Sequence, residues 1–173
     1  MPENLERLDA HTESKHLRIV VESPRGSRVK YEYSPETGAF HVKRPLPAGL
    51  AYPFDWGFIP GTQAADGDPV DVMLVSDHVS YPGTLVEGRT LAILHVMERP
   101  KRGDVEDNPR IIAVPEWVDA SLGEAMLAPL RDDIRDFLVR VGETAEKEIL
   151  DAQWGPAKEA DAFIAGHRQR ARK

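Results

Sequence analysis

The sequence predicts a mainly β protein, a small closed or partly open barrel with flanking helices. Three observations carry that prediction. Short apolar or alternating segments fill the first two thirds of the 173 residues, turn-forming residues separate them, and helical periodicity appears only afterwards. Leu17 to Glu22, Val29 to Tyr33 and Ala39 to Lys43 read as the first strands, the last two joined by the hairpin-type connection Ser34-Pro35-Glu36-Thr37-Gly38. Val70 to Val75, Leu91 to Met97 and Ile111 to Val114 supply further strands, and Pro109 and Pro115 bracket the last of them. Leu127, Leu130, Ile134, Phe137, Leu138 and Val141 recur at helical spacing. A second helix is expected from Pro156 to about Arg170, with proline in its first turn and Ala160, Phe163 and Ile164 facing inward. No repeat or low-complexity segment interrupts the pattern.

Composition bounds the function. A chain that is 41% hydrophobic buries a core as one domain, residues 1–173, with a polar N-terminal arm at 1–16 and a basic end at 165–173. The absence of cysteine excludes disulfides and thiolate metal sites and suits a reducing cytoplasm. No apolar run reaches membrane-spanning length, and the polar start lacks a signal-peptide core, so no membrane partner is expected. A net charge of −7 argues against nucleic acid as a partner. Arg168, Arg170, Arg172 and Lys173 read as a solvated helix terminus, where cations are favoured.

The chemistry concentrates at Asp66-Gly67-Asp68-Pro69-Val70-Asp71-Val72. Three carboxylates so close together repel one another, and a divalent cation compensates them best. Oxygen-only ligands select hard ions such as Mg²⁺, Mn²⁺ or Ca²⁺ over Zn²⁺. The turn-rich Ile59-Pro60-Gly61-Thr62 precedes the segment and an apolar run follows, so Asp66 and Asp68 approach a strand and Asp71 points inward from its start. A calcium EF-hand fails here. Its obligatory glycine and glutamate positions hold Asp71 and Asp77, and Pro69 interrupts the loop. Taken alone, the segment also reads as an acidic solvated turn. Strand alternation puts Lys30 and Glu32 on one face, a pattern that a surface strand shares. Ser76-Asp77-His78 has triad residue types, but three consecutive residues cannot adopt triad geometry, so it reads as a strand-end turn. His11 and His16 are weak metal candidates. His41 and His95 read as structural, and Trp117 and Trp154 as packing against helices or a subunit interface.

The ordered set resembles the soluble family I inorganic pyrophosphatases. Asp66, Asp68, Pro69 and Asp71 match that family's Asp-x-Asp-Pro-x-Asp signature. Val20-Val21-Glu22-Ser23-Pro24, Lys30-Tyr31-Glu32, Arg44, and Tyr52-Pro53-Phe54-Asp55-Trp56-Gly57-Phe58-Ile59 match its earlier segments in order, from about residue 18 to residue 76. The resemblance implies an OB-like five-stranded β-barrel with flanking helices. It implies Mg²⁺-dependent hydrolysis of inorganic pyrophosphate to two phosphates by a metal-activated water, with Mn²⁺ as a possible substitute. Asp66 and Asp71 would hold metal, Asp68 would orient or deprotonate the water, and Glu22 and Glu32 would hold outer metals. Lys30, Arg44 and Tyr52 would bind phosphate, arginine as a bidentate fork and lysine as a point charge. Metal is needed in any case, because an acidic protein repels a multiply charged anion. The resemblance also implies a homo-oligomer, a hexamer in many bacteria.

The second half departs from the family. In the long loop from Glu98 to Arg110, Glu98 takes the place of one metal-binding aspartate and Arg110 the place of a lysine, where it would bind the substrate's phosphate. Asp104 or Asp107 would supply the second aspartate, Asp107 being favoured by its closeness to Arg110. Trp56 stands where the family usually has a second tyrosine. A Tyr-Lys pair expected on the penultimate helix is missing, and only Arg140 lies nearby. Two other readings therefore stand beside pyrophosphate hydrolysis. One is a metal-dependent hydrolase of another small phosphoanhydride or phosphate ester. The other is a non-catalytic, metal-binding oligomeric protein.

Overall fold

Side chains along a strand point alternately to two faces, so a strand that is apolar on both must be covered twice. The computed structural model, which describes residues 4–169, provides both covers: a barrel interior and an outer layer of helices. In chain order the strands are β1 (Leu17–Ser23), β2 (Val29–Ser34), β3 (Ala39–Pro45), β4 (Asp55–Ile59), β5 (Val70–Leu74), β6 (Leu85–Pro100), β7 (Glu106–Asp107), β8 (Arg110–Pro115) and β9 (Lys147–Pro156). The helices are α1 (Ala120–Leu127), α2 (Arg131–Thr144) and α3 (Ala157–Gly166).

β1 pairs antiparallel with β4, and β4 with β5. β5 runs parallel to β8, β8 antiparallel to β6, and β6 returns to β1. The sheet thus closes on five strands, the OB-like barrel that the family resemblance implies. β9 extends β6 outside the ring, and β2 and β3 form a separate hairpin. Ile19, Ile59, Val72, Ile93 and Ile111, one from each barrel strand, fill the interior, and Ala160 and Ile164 of α3 join them. On the other face Met73, Leu94 and Ile112 meet Ile134, Phe137 and Leu138 of α2. Each such side chain contributes about 1.5–3 kcal/mol by leaving water.

The differences from expectation have local causes. β4 is buried along its whole length, so it lacks the alternation that marks a half-buried strand. At Gly57 a Cβ would lie 1.9 Å from the Val20 carbonyl oxygen, so only glycine allows β1 to approach. The helical run through Leu127 to Val141 is broken at Pro129 into α1, a 3₁₀ turn and α2. α3 ends at Gly166, short of the expected Arg170, which lies outside the described residues with Arg172 and Lys173. Phe163 is only partly buried, its ring stacked on His167. Trp154 packs beneath the Arg131 guanidinium, 4.9 Å away, whereas Trp117 is exposed and edge-on to His78. Among the described residues no helix is long and apolar enough to cross a membrane.

His95 ties three elements together. Its Nδ1 lies 2.8 Å from the Asp107 carboxylate on β7, and its Nε2 lies 2.8 Å from Glu159 on α3. Both ring nitrogens can donate only as imidazolium. Burial alone lowers its pKa, but the bonds to Asp107 and Glu159 outweigh burial and raise it above the ordinary 6.5. A raised pKa contributes stability that is fully present below the unfolded value and is lost as pH rises through the folded one. The melting temperature of the natural protein should therefore exceed that of His95→Gln most at about pH 6, and the gap should shrink toward about pH 9. A pH-independent gap would contradict a charged His95.

Candidate metal and phosphate site

Strand alternation decides which polar side chains share the outer face with α2. Asp71 is flanked by Val70 and Val72, both in the barrel interior, so it shares the face of Met73. The expectation that Asp71 points inward is thus corrected: it leaves the barrel and enters a cleft under α2. By the same alternation Arg110 follows Ile112 on β8, and Glu98 follows Leu94 and Val96 on β6. Parallel pairing of Val72 with Ile111 then brings the Arg110 Nε to 3.1 Å from the Asp71 carboxylate. The Arg110 guanidinium also lies 5.7 Å from the centre of the Trp56 ring.

Asp66 and Asp68 stand on the turn before β5. Gly67 between them takes φ +93°, and the Asp68 N–H donates to the Asp66 carboxylate at 3.1 Å. From the β2–β3 hairpin, Lys30 and Arg44 occupy directly opposed positions. Arg44 Nε is buried without a protein hydrogen-bond partner, as suits a donor awaiting an anion. Together with Tyr52, these groups line a cleft of about 240 Å³ whose remaining wall is Phe137, Leu138 and Val141 of α2.

The two ends of the cleft differ electrostatically. Burial raises the pKa of Asp68, and repulsion from Asp66, Glu32 and Asp71 raises it further against the pull of Lys30. Burial pushes Glu22 up to about 7, opposed by the bond it accepts from the Tyr33 N–H at 2.7 Å and assisted by Asp71. Burial likewise pushes the Tyr52 hydroxyl up to about 12, although Ser23 and Arg44 oppose it. This end holds more negative charge than the chain neutralises. The Glu98 end is the reverse. Burial would raise Glu98, but Lys147, Asn108 and Arg110 outweigh burial and hold it below the usual carboxylate range.

Lys30, Arg44, Tyr52, Asp66, Asp68, Asp71, Glu98 and Arg110 therefore converge, as the sequence suggested. Glu22 and Glu32 stand beside them: Glu22 is buried, and Glu32 pairs with Lys43 at 2.6 Å. Three expected residues stand elsewhere. Asp107 pairs with His95 outside the cleft, because β7 folds back on β6 and turns that carboxylate away. Asp104 is exposed in the loop, and Arg140 donates to the Ala48 carbonyl on the surface. Two lining residues escaped sequence reasoning. Asn108 donates to Glu98 at 2.9 Å, and the Lys147 ammonium is bonded to the same oxygen. The available signal for Lys147 was strand-like alternation with Ile149, which also lines the cleft. Gly142 seats it: a Cβ there would lie 2.8 Å from the Lys147 carbonyl oxygen.

Other candidates lie apart. His16, Glu87 and Glu116 bring three potential ligand atoms together on the surface, at the opposite end of β8 from Arg110. Ser76-Asp77-His78 forms a turn, the His78 N–H donating to the Ser76 hydroxyl at 3.1 Å.

Comparison with known proteins places these features in a wider set. The profile of the family described as "Inorganic pyrophosphatase" matches residues 19–172. An inorganic pyrophosphatase of Aeropyrum pernix is 39% identical over 157 residues, covering 86% of this chain and 85% of that protein. One from Sulfolobus acidocaldarius is 40% identical over 100 residues, covering 58% of this chain, and one from Thermus thermophilus is 47% identical over 90, covering 52%. The matched regions span about half the length of those two relatives, 55% and 51%. The crystal structure of the Thermus thermophilus inorganic pyrophosphatase superposes with a TM-score of 0.81 at 28% identity, covering 95% of this chain and 97% of that one.

Arg110 is 8% exposed and braces two carboxylates, so its loss should be costly. Arg110→Met should lower the unfolding free energy in urea by about 3–5 kcal/mol, the range for orphaning a buried charge. Arg99→Ala, which breaks an exposed pair with Glu148, should cost less than about 1 kcal/mol. Equal costs would show that Arg110 is not buried between its partners.

Proposed function

The chain belongs to the inorganic pyrophosphatase family, and on that premise we propose that it hydrolyses inorganic pyrophosphate to two phosphates with Mg²⁺ as cofactor. The observation that carries the proposal is the juxtaposition, in one cleft, of an uncompensated carboxylate set and a convergent set of cations. Asp66, Asp68 and Asp71 offer only oxygen, which fits a hard divalent ion, Mg²⁺ first and Mn²⁺ as a substitute. When bound, such an ion offsets the charge of carboxylate and phosphate and lowers the pKa of a bound water from 15.7 toward about 7.

The division of roles among the chain's own residues is the one the family resemblance implies. Asp66 and Asp71 are the metal ligands, with Glu22 and Glu32 behind them. Asp68 accepts the proton of the attacking water, a role suited to a carboxylate whose proton affinity is raised by its neighbours. Arg44 presents a fork to phosphate oxygens and Lys30 a point charge. Tyr52 remains protonated at neutral pH and donates its hydroxyl. In the same proposal, residues 1–173 act as one domain, in the cytoplasm, within a homo-oligomer that the family suggests is a hexamer. Neither nucleic acid nor membrane is a partner.

Where a Tyr-Lys pair was expected, α2 presents only the apolar side chains Phe137, Leu138 and Val141, which favours testing larger phosphoanhydrides too. Phosphate release should be measured from pyrophosphate, tripolyphosphate and ATP, with Mg²⁺ and with excess chelator. Pyrophosphate should be turned over only with Mg²⁺ and should be preferred over the other two. Asp68→Asn should slow turnover by about 10²–10⁴-fold. Full turnover in chelator, or an unimpaired Asp68→Asn, would overturn the proposal.

A further inference from the structure

We propose that Glu98 is a positioning residue rather than a metal ligand, holding Lys147 and Arg110 as a two-cation receptor for a phosphate group. Metal is then confined to the Asp66, Asp68 and Asp71 end of the cleft. One oxygen of Glu98 is hydrogen-bonded, accepting from Asn108 at 2.9 Å and from the Lys147 ammonium, and the other is at ion-pair distance from a cation, 3.8 Å from Arg110 Nη2. The Glu98 side chain is 2% exposed, while Lys147 remains partly open to the cleft. A buried carboxylate with these partners is an internal counter-ion, and a divalent ion there would be repelled by two cations already in place.

Neither aspartate of the loop is at hand to help. Asp107 is bonded to His95, and Asp104 lies exposed on the loop. Lys147 and Arg110 face Glu98 and, through Arg110, Asp71, so the carboxylates here are balanced by cations before any ligand arrives, whereas those of the aspartate turn are not. Lysine is a mobile point charge, so Lys147 recognises an anion tightly only if something pins it, and Glu98 with Asn108 does so. Arg110 is held from both sides, at 3.1 Å from Asp71 and 3.8 Å from Glu98. It couples the metal end to the phosphate end. The chemical class recognised is a phosphate group of the substrate or the product.

The inference rests on the reading of the cleft as a phosphate site, so its test uses readouts that need no turnover. Mn²⁺ bound per chain should be counted by electron paramagnetic resonance on the metal-free protein and on Glu98→Gln. Binding of inorganic phosphate in excess chelator should be measured by calorimetry on the natural protein, Glu98→Gln, Lys147→Met and Lys147→Arg. The Mn²⁺ count should be the same with and without Glu98. Phosphate binding should weaken roughly 10-fold in Lys147→Met, weaken less in Glu98→Gln, and be largely restored in Lys147→Arg. In turnover assays Glu98→Gln should raise KM for pyrophosphate roughly 10-fold while kcat stays within about 3-fold. Loss of one Mn²⁺ per chain in Glu98→Gln would overturn the proposal, and so would normal phosphate binding in Lys147→Met. Lys147 is partly exposed, so Lys147→Met decides the question even if Glu98→Gln fails to fold.

Discussion

The parallel register between β5 and β8 is the constraint on which the cleft depends. With Val72 opposite Ile111, the two strands enter the barrel side by side and in the same direction. Their interior residues, Val70, Val72, Ile111 and Ala113, fix the register by burial, since a one-residue slip would send them outward and bring Asp71 and Arg110 into the core. The core therefore specifies where the charges go. Asp71 and Arg110 are forced onto the outer face as neighbours, and every other cleft residue is arranged around that pair.

From that pair the cleft divides into two ends of opposite character. Toward the turn before β5, burial and repulsion from Asp66, Glu32 and Asp71 outweigh the pull of Lys30 on Asp68 and hold it above the ordinary carboxylate range. Toward β6 and β9, the single carboxylate of Glu98 accepts from Asn108 and Lys147, has Arg110 at ion-pair distance, and is held below that range. The contrast is between repulsion left for an external cation and repulsion removed by internal ones. A bipolar cleft of this kind suits a substrate that is itself an anion carrying metal.

The near-complete legibility of one half of the site and the opacity of the other have the same origin. Asp66, Asp68 and Asp71 are close in sequence, and Lys30 and Arg44 sit across one hairpin, so local pattern sufficed. Asn108 and Lys147 reach Glu98 only through pairing of β6 with β7 and β9. Asp107 is favoured over Asp104 by its closeness to Arg110, yet the β7 pairing sends its carboxylate to His95 and leaves its neutral neighbour Asn108 in the cleft. β9 carries half-exposed residues with little apolar contrast, so its alternation was faint, and with it the position of Lys147. The barrel strands were legible for the opposite reason. Their apolar residues face two covers and stand out against the turns, with buried β4 as the exception.

The central claim is that the Asp66, Asp68 and Asp71 end carries charge that the fold itself leaves uncompensated. It is tested most directly by urea unfolding of the natural protein and Asp68→Asn, each in excess chelator and in saturating Mg²⁺. Asp68→Asn should be the more stable of the two in chelator, because it removes a repelling charge. In Mg²⁺ the natural protein should gain more, since a ligand that binds the folded state stabilises it by an amount that grows with the logarithm of its affinity. A natural protein more stable than Asp68→Asn in chelator, with no response to Mg²⁺, would contradict the account.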